Sequence, residues 1–170
     1  RFPTAAVEAY HMDNVIHAVR PNEYTRQHEH VTHAGVQPVP TLLEVPMPLI
    51  KIMFEDDHEH LLALRDYVSR QPWSADYEVF FSDRTLLEVT RKGASKGAMV
   101  ARLAKRLGIS IDHVYCAGDE NNDLSMLTMA AEGFAPSNCV ETVRSCGATI
   151  VADCDHDTLA EIVSILDKRY

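Results

Sequence analysis

The segment that most restricts the fold is the apolar run His113-Val-Tyr-Cys-Ala117, which ends on Gly118-Asp-Glu-Asn-Asn-Asp123. A second apolar stretch follows at once, through Leu124, Met126, Leu127 and Met129. A short apolar run bounded by Asp112 and Gly118 reads as a buried strand, so strand, acidic loop and short helix are expected in direct succession. The flanking sequence repeats this alternation. Ser95 is a good helix N-cap for KGAMVARLAKRL, whose Met99, Val100, Leu103 and Leu107 fall on one stripe, and Gly108 suits the C-terminus. Gly133–Ala135 and Ala148–Ala152 read as strands, and Asn138 with Glu141 resembles a capping box opening a helix to Cys146. Asp155 is expected to cap a last helix with Leu159, Ile162, Val163 and Leu166 inward. Alternating helices and strands over residues 91–170 imply a parallel sheet with helices on both faces.

Residues 1–90 read differently. Of eight prolines only Pro136 lies beyond this half, and of nine histidines only His113 and His156 do, whereas Gly35 is the one glycine of seven within it. Ala5–Tyr10 and Asn14–Val19 suggest a hairpin about His11-Met-Asp13, with Tyr77–Phe81 and Thr85–Val89 a second one. Pro21 is placed to start a helix to about Thr32, and a Pro-rich loop, QPVPTLLEVPMP, follows. Leu49–Phe54 then reads as a strand and Asp57–Ser69 as a helix. The expectation is an α+β unit, 1–90, with an antiparallel sheet, followed by an α/β unit, 91–170.

Charge removes several function classes. With 16 basic and 25 acidic residues among 170, the chain carries −9, which disfavours nucleic acid and anionic membrane as main partners. No apolar run approaches the roughly 20 residues of a spanning helix, and RFPTAAVEAY lacks the apolar core of a signal peptide. Cys116, Cys139, Cys146 and Cys154 read as free thiols, and the expected location is cytoplasmic.

Chemistry concentrates in the acidic loop. In an open parallel sheet, ligands bind beyond the carboxyl ends of the strands, where Asp119, Asn122 and Asp123 stand. Carboxylates there suit Mg²⁺, which binds through one or two of them plus water and substrate phosphate, and a helix N-terminus also favours phosphate. The plainer reading is that these acids only cap the helix. Lys96 weighs against it, because a cation in the first turn of a helix opposes the helix dipole and calls for an anionic partner. Gly97 beside it permits close backbone approach, and Lys92 is near enough to compete for the role.

LLEVTRKGASKGAMVARLAKRLGI, VYCAGDENNDLSML and FAPSNCVETVRSCGATIV together resemble the C-terminal part of a haloacid dehalogenase (HAD) superfamily phosphatase of the Cof-like branch. The resemblance implies a partial Rossmann-like core at 91–170 and a smaller α+β cap at 1–90. It makes Lys96 the lysine that neutralises phosphoryl group and nucleophile, and Asp119 and Asp123 the metal carboxylates, Asp123 in a supporting role. Asn122 and Asn138 become polar contacts to the phosphorylated substrate, a small metabolite such as a sugar phosphate. The DxDGT-type motif that supplies nucleophile and general acid in such enzymes is absent, since His11-Met-Asp13 and Phe54-Glu-Asp-Asp57 do not fit it. The chain is therefore expected to be an inactive fragment, cut within the cap, of a Mg²⁺-dependent phosphomonoesterase working through an aspartyl-phosphate. A phospho-ligand or partner-binding module and a phosphomutase are the alternatives.

His28-Glu-His30 with His33, and Asp57-His-Glu-His60, invite a metal reading, but solvated helix faces explain them more simply. Tyr24, Tyr77, Phe80 and Phe81 are expected to serve core and sheet packing rather than a substrate box, and Cys116 to be a small buried hydrophobe.

Overall fold

A computed structural model describes residues 2–12 and 15–169 and divides the chain into two compact units, one ending at Gly93 and the other beginning at Ala94. In the first, β1 (Ala6–Tyr10), β2 (Ile16–Val19), β3 (Val36–Pro38), β4 (Lys51–Glu55), β5 (Tyr77–Asp83) and β6 (Leu86–Arg91) form one sheet in the order β3-β2-β1-β4-β6-β5. Neighbours run antiparallel except β2 and β3. Both expected hairpins are present, although Asp13 and Asn14 of the first turn lie outside the described residues. The Pro-rich loop contains a strand that sequence reading missed. β3 sits at the sheet edge, where the absent N–H of Pro38 costs no interior ladder bond.

Two helices cover this sheet from opposite sides. The helix α1 (Glu23–Thr32) begins one residue after Asn22, whose side chain accepts from the Tyr24 and Thr25 amides at 3.0 and 3.1 Å while its own N–H donates to Thr25 Oγ1. The helix α2 (His58–Ser69) lays Leu61, Leu64 and Val68 against Phe54, Val79, Phe81 and Leu87. Strand side chains alternate between faces, so Glu8 of β1 and Glu55 of β4 point the other way, toward Thr25 and His28 of α1.

The second unit runs α3 (Lys96–Leu107), β7 (Tyr115–Ala117), α4 (Leu124–Met129), β8 (Glu132–Pro136), α5 (Glu141–Arg144), β9 (Thr149–Val151) and α6 (Thr158–Asp167). Its strands form a parallel sheet in the order β7-β8-β9. Cys116 and Ala135 pack with Val100, Leu127 and Val143 on one face, and Phe134 and Val151 with Ile162, Ile165 and Leu166 on the other. The α/β arrangement with helices on both faces is therefore observed. Burial raises the Cys116 thiol, as suits a packed side chain.

Three local expectations need correction. The apolar stripe of α3 is uncovered at Met99, Leu103 and Leu107, because its packed face is made of Gly97 and Ala104. In α6 only Ile162 of the expected inward set is fully buried, and Leu159 is 70% exposed. The N-cap position of that helix is Asp157, whose side chain makes no capping bond, and not Asp155. Gly97 is needed for contact between α3 and α4, since a Cβ there would stand 2.3 Å from the Ser125 carbonyl oxygen. Gly97→Ala is expected to lower stability by about 1–3 kcal/mol through overpacking, which urea unfolding of the two chains measures directly. No helix among the described residues is long and apolar enough to cross a membrane.

Candidate functional site

β7 delivers the acidic loop to the carboxyl end of the parallel sheet, and the Gly118 amide still bonds Phe134 O at 3.1 Å. The loop then closes on Asp123, which is 3% exposed. Asp123 Oδ2 accepts from the Asp119 and Glu120 amides at 3.0 and 3.1 Å, and Oδ1 takes the Lys96 ammonium. Gly118 makes this closure possible, because a Cβ there would come within 2.4 Å of Asp123 Cβ. Two further bonds brace the loop from the α5 side: Val140 N–H to Asp119 O at 3.0 Å, and Thr142 Oγ1 to Asn121 Oδ1 at 2.6 Å.

Lys96 thus has the anionic partner its place in the helix demanded, and its Nζ also lies 3.4 Å from Asn122 Oδ1. Lys92, the competitor, donates to Ala75 O instead. Gly97 serves helix packing rather than ligand approach, and its amide bonds Ser125 Oγ at 3.0 Å. Asn138 forms no capping box. α5 starts from Val140, and Asn138 Oδ1 accepts the Cys154 amide at 3.3 Å, joining the loops after β8 and β9. The structure thus gathers Lys96, Asn122 and Asp123 around one contact, with Asp119 on the same loop and Asn138 two residues from the amide that holds Asp119 O.

The donor set is all oxygen, as a hard cation requires. The carboxylate of Asp119 is exposed at the strand end, whereas both oxygens of Asp123 already accept hydrogen bonds. Among the described residues Asp119 belongs to no convergent group of three His, Cys, Asp or Glu side chains. Such a site suits Mg²⁺, which completes its shell with water and substrate phosphate.

Sequence reading missed a second cluster. Glu8 and Glu55, both 0% exposed, flank His28, whose Nδ1 lies 3.3 Å from Glu8 Oε2 and 3.4 Å from Glu55 Oε1. His28 is not on a solvated face, although His30 and His33, whose rings meet edge-on, are exposed. The available signal was a carboxylate inside each of two apolar strands, AVEAY and KIMFE, since a buried polar side chain is the informative exception.

A family model described as haloacid dehalogenase-like hydrolase matches residues 5–163. The chain is 32% identical over 114 residues to the chloroplastic endoribonuclease YBEY of Arabidopsis thaliana, a match covering 66% of this chain and 19% of that protein. It is 28% identical over 116 residues to the HMP-PP phosphatase of Klebsiella pneumoniae, covering 67% of this chain and 42% of that one. Among solved structures, a haloacid dehalogenase-like hydrolase from Bacteroides thetaiotaomicron superposes with a TM-score of 0.79 at 22% identity, covering 95% of this chain and 61% of the other. The chain thus spans less than half the length of these two curated relatives and about three fifths of the solved one.

Proposed function

The chain belongs to the haloacid dehalogenase-like hydrolases, and on that footing we propose that the whole protein is a cytoplasmic, Mg²⁺-dependent phosphatase of a small phosphorylated metabolite such as a sugar phosphate. The observation that carries this reading is the closed loop itself: Lys96 is fixed on Asp123 while Asp119, four residues before, keeps its carboxylate exposed. The first unit is assigned the substrate-selecting role of a cap and the second the catalytic role. A relative that acts on HMP-PP by its name supports a small phosphorylated substrate.

Each residue has a distinct task in this proposal. Asp119 would hold Mg²⁺ directly, and Asp123, both of whose oxygens already accept hydrogen bonds, would be the supporting carboxylate that shapes the loop behind it. A Mg²⁺ ion held there would supply charge neutralisation and polarisation of the bound phosphate. Lys96 places a fixed positive charge beside the phosphoryl oxygens, an electrostatic contribution that needs no rearrangement during reaction. Asn122 and Asn138 each have an oxygen engaged, by Lys96 and by the Cys154 amide, which leaves their NH₂ groups to donate to substrate. The DxDGT-type nucleophile is not among these 170 residues, so the isolated chain is expected to release no phosphate.

The test is phosphate release by the whole protein from a panel of small phosphomonoesters. Chelation with EDTA is expected to lower the rate by at least about 100-fold, with recovery on adding Mg²⁺. Turnover indifferent to chelation, or no release from any ester, would overturn the proposal.

A further inference from the structure

The buried group formed by Glu8, His28 and Glu55 lies within the first unit and has no part in the chemistry assigned to Lys96 and Asp119. One ligand atom from each of the three side chains lies within 4.8 Å of the others. Both glutamates are 0% exposed, the His28 side chain is 15% exposed, and Glu8 Oε1, Glu55 Oε1 and His28 Nδ1 are buried without a hydrogen-bond partner. Two carboxylates taken wholly out of water carry a large desolvation penalty unless a cation compensates them. Lys51 is not available for this, being paired with Glu88 at 2.9 Å and stacked over the Tyr10 ring.

We propose that Glu8, His28 and Glu55 bind a divalent transition-metal ion of the zinc type. The spacing fits. Bonds of about 2.0–2.1 Å at tetrahedral angles put neighbouring ligand atoms about 3.3 Å apart, and His28 Nδ1 lies 3.3 and 3.4 Å from the two carboxylate oxygens. The donor chemistry fits as well, since imidazole favours zinc and its neighbours over Mg²⁺ or Ca²⁺. An outer shell is already built: Tyr10 OH donates at 2.7 Å to Glu8 Oε2, the oxygen that also faces His28, and Thr25 Oγ1 donates to Glu55 Oε2, which leaves Glu55 Oε1 unpaired toward His28. The fourth position falls to water, with access from the His28 side, where the cluster is least buried.

The experiment is calorimetric titration of the EDTA-stripped chain with ZnCl₂, run on wild type, on Glu8→Gln/Glu55→Gln and on His28→Gln. One equivalent is expected to bind saturably to wild type, with affinity at least about tenfold weaker in His28→Gln and lost in the double variant. Mg²⁺ is expected not to displace it. Because the readout is a difference from wild type, zinc taken up by an exposed thiol such as Cys154 cancels. If the double variant fails to fold, His28→Gln, at the partly exposed position, decides the matter. Absence of saturable zinc binding in wild type, or unchanged affinity in His28→Gln, overturns the proposal. Neither result bears on the phosphatase reading, whose test is phosphate release.

Discussion

Asp119→Asn in the whole protein is expected to cut kcat by about 10³-fold or more while leaving the fold in place. The magnitude follows from the proposed role: loss of a metal carboxylate would weaken the charge stabilisation of the phosphoryl group and leave Lys96 to supply most of what remains. The fold is expected to survive because the Asp119 side chain is exposed, and what holds the loop is its backbone, with N–H on Asp123 Oδ2 and O on the Val140 amide. Steady-state rates with a phosphomonoester, beside a thermal melt of both proteins, separate the two effects. Near-normal turnover in Asp119→Asn would remove the metal assignment.

Lys96→Met is expected to lose about 10²–10³-fold in kcat and, unlike Asp119→Asn, to lose stability as well. Its ammonium is the charge partner of Asp123, whose side chain is 4% exposed, so the substitution leaves a buried carboxylate with only two backbone N–H donors. The lysine itself is half-exposed, and solvent screens part of the pair; the stability loss is therefore expected to be nearer about 1–2 kcal/mol than the larger figure for a fully buried pair. Denaturant unfolding of Lys96→Met beside Lys96→Met/Asp123→Asn checks this. The second substitution, by removing the stranded charge, is expected to restore part of the loss.

Much of the second unit was legible because its signals are local. The apolar run at Tyr115–Ala117, the N-cap at Ser95 and the left-handed Gly108 need no distant partner to be recognised. Lys96 was legible for a different reason. A lysine at the positive end of a helix is an electrostatic contradiction, and the structure resolves it with Asp123, 27 residues away. What escaped notice depends on three-dimensional accounting. The inward face of α3 is defined by Gly97 and Ala104, small residues that let α4 approach, so the larger Met99, Leu103 and Leu107 misled the periodicity.

His28 escaped for a related reason. Residues two apart on a helix point in different directions, so the spacing of His28 and His30 concealed that one of them turns inward. Glu8 and Glu55 are far apart in sequence and meet only through the antiparallel register of β1 and β4. Asn138 had the right spacing for a capping box, yet its oxygen is taken by the Cys154 amide from the next strand's loop. Local pattern cannot foresee a competitor that arrives from elsewhere in the sheet.

The central claim, that one loop brings a metal carboxylate and a phosphate-facing ammonium together, is tested most directly by diffraction from the whole protein crystallised with Mg²⁺ and tungstate, an oxyanion that mimics phosphate. The expected result is a metal ion in contact with the Asp119 carboxylate and the oxyanion within hydrogen-bond reach of Lys96 Nζ. An oxyanion bound elsewhere, with Lys96 still facing only Asp123 and no metal at Asp119, would contradict it.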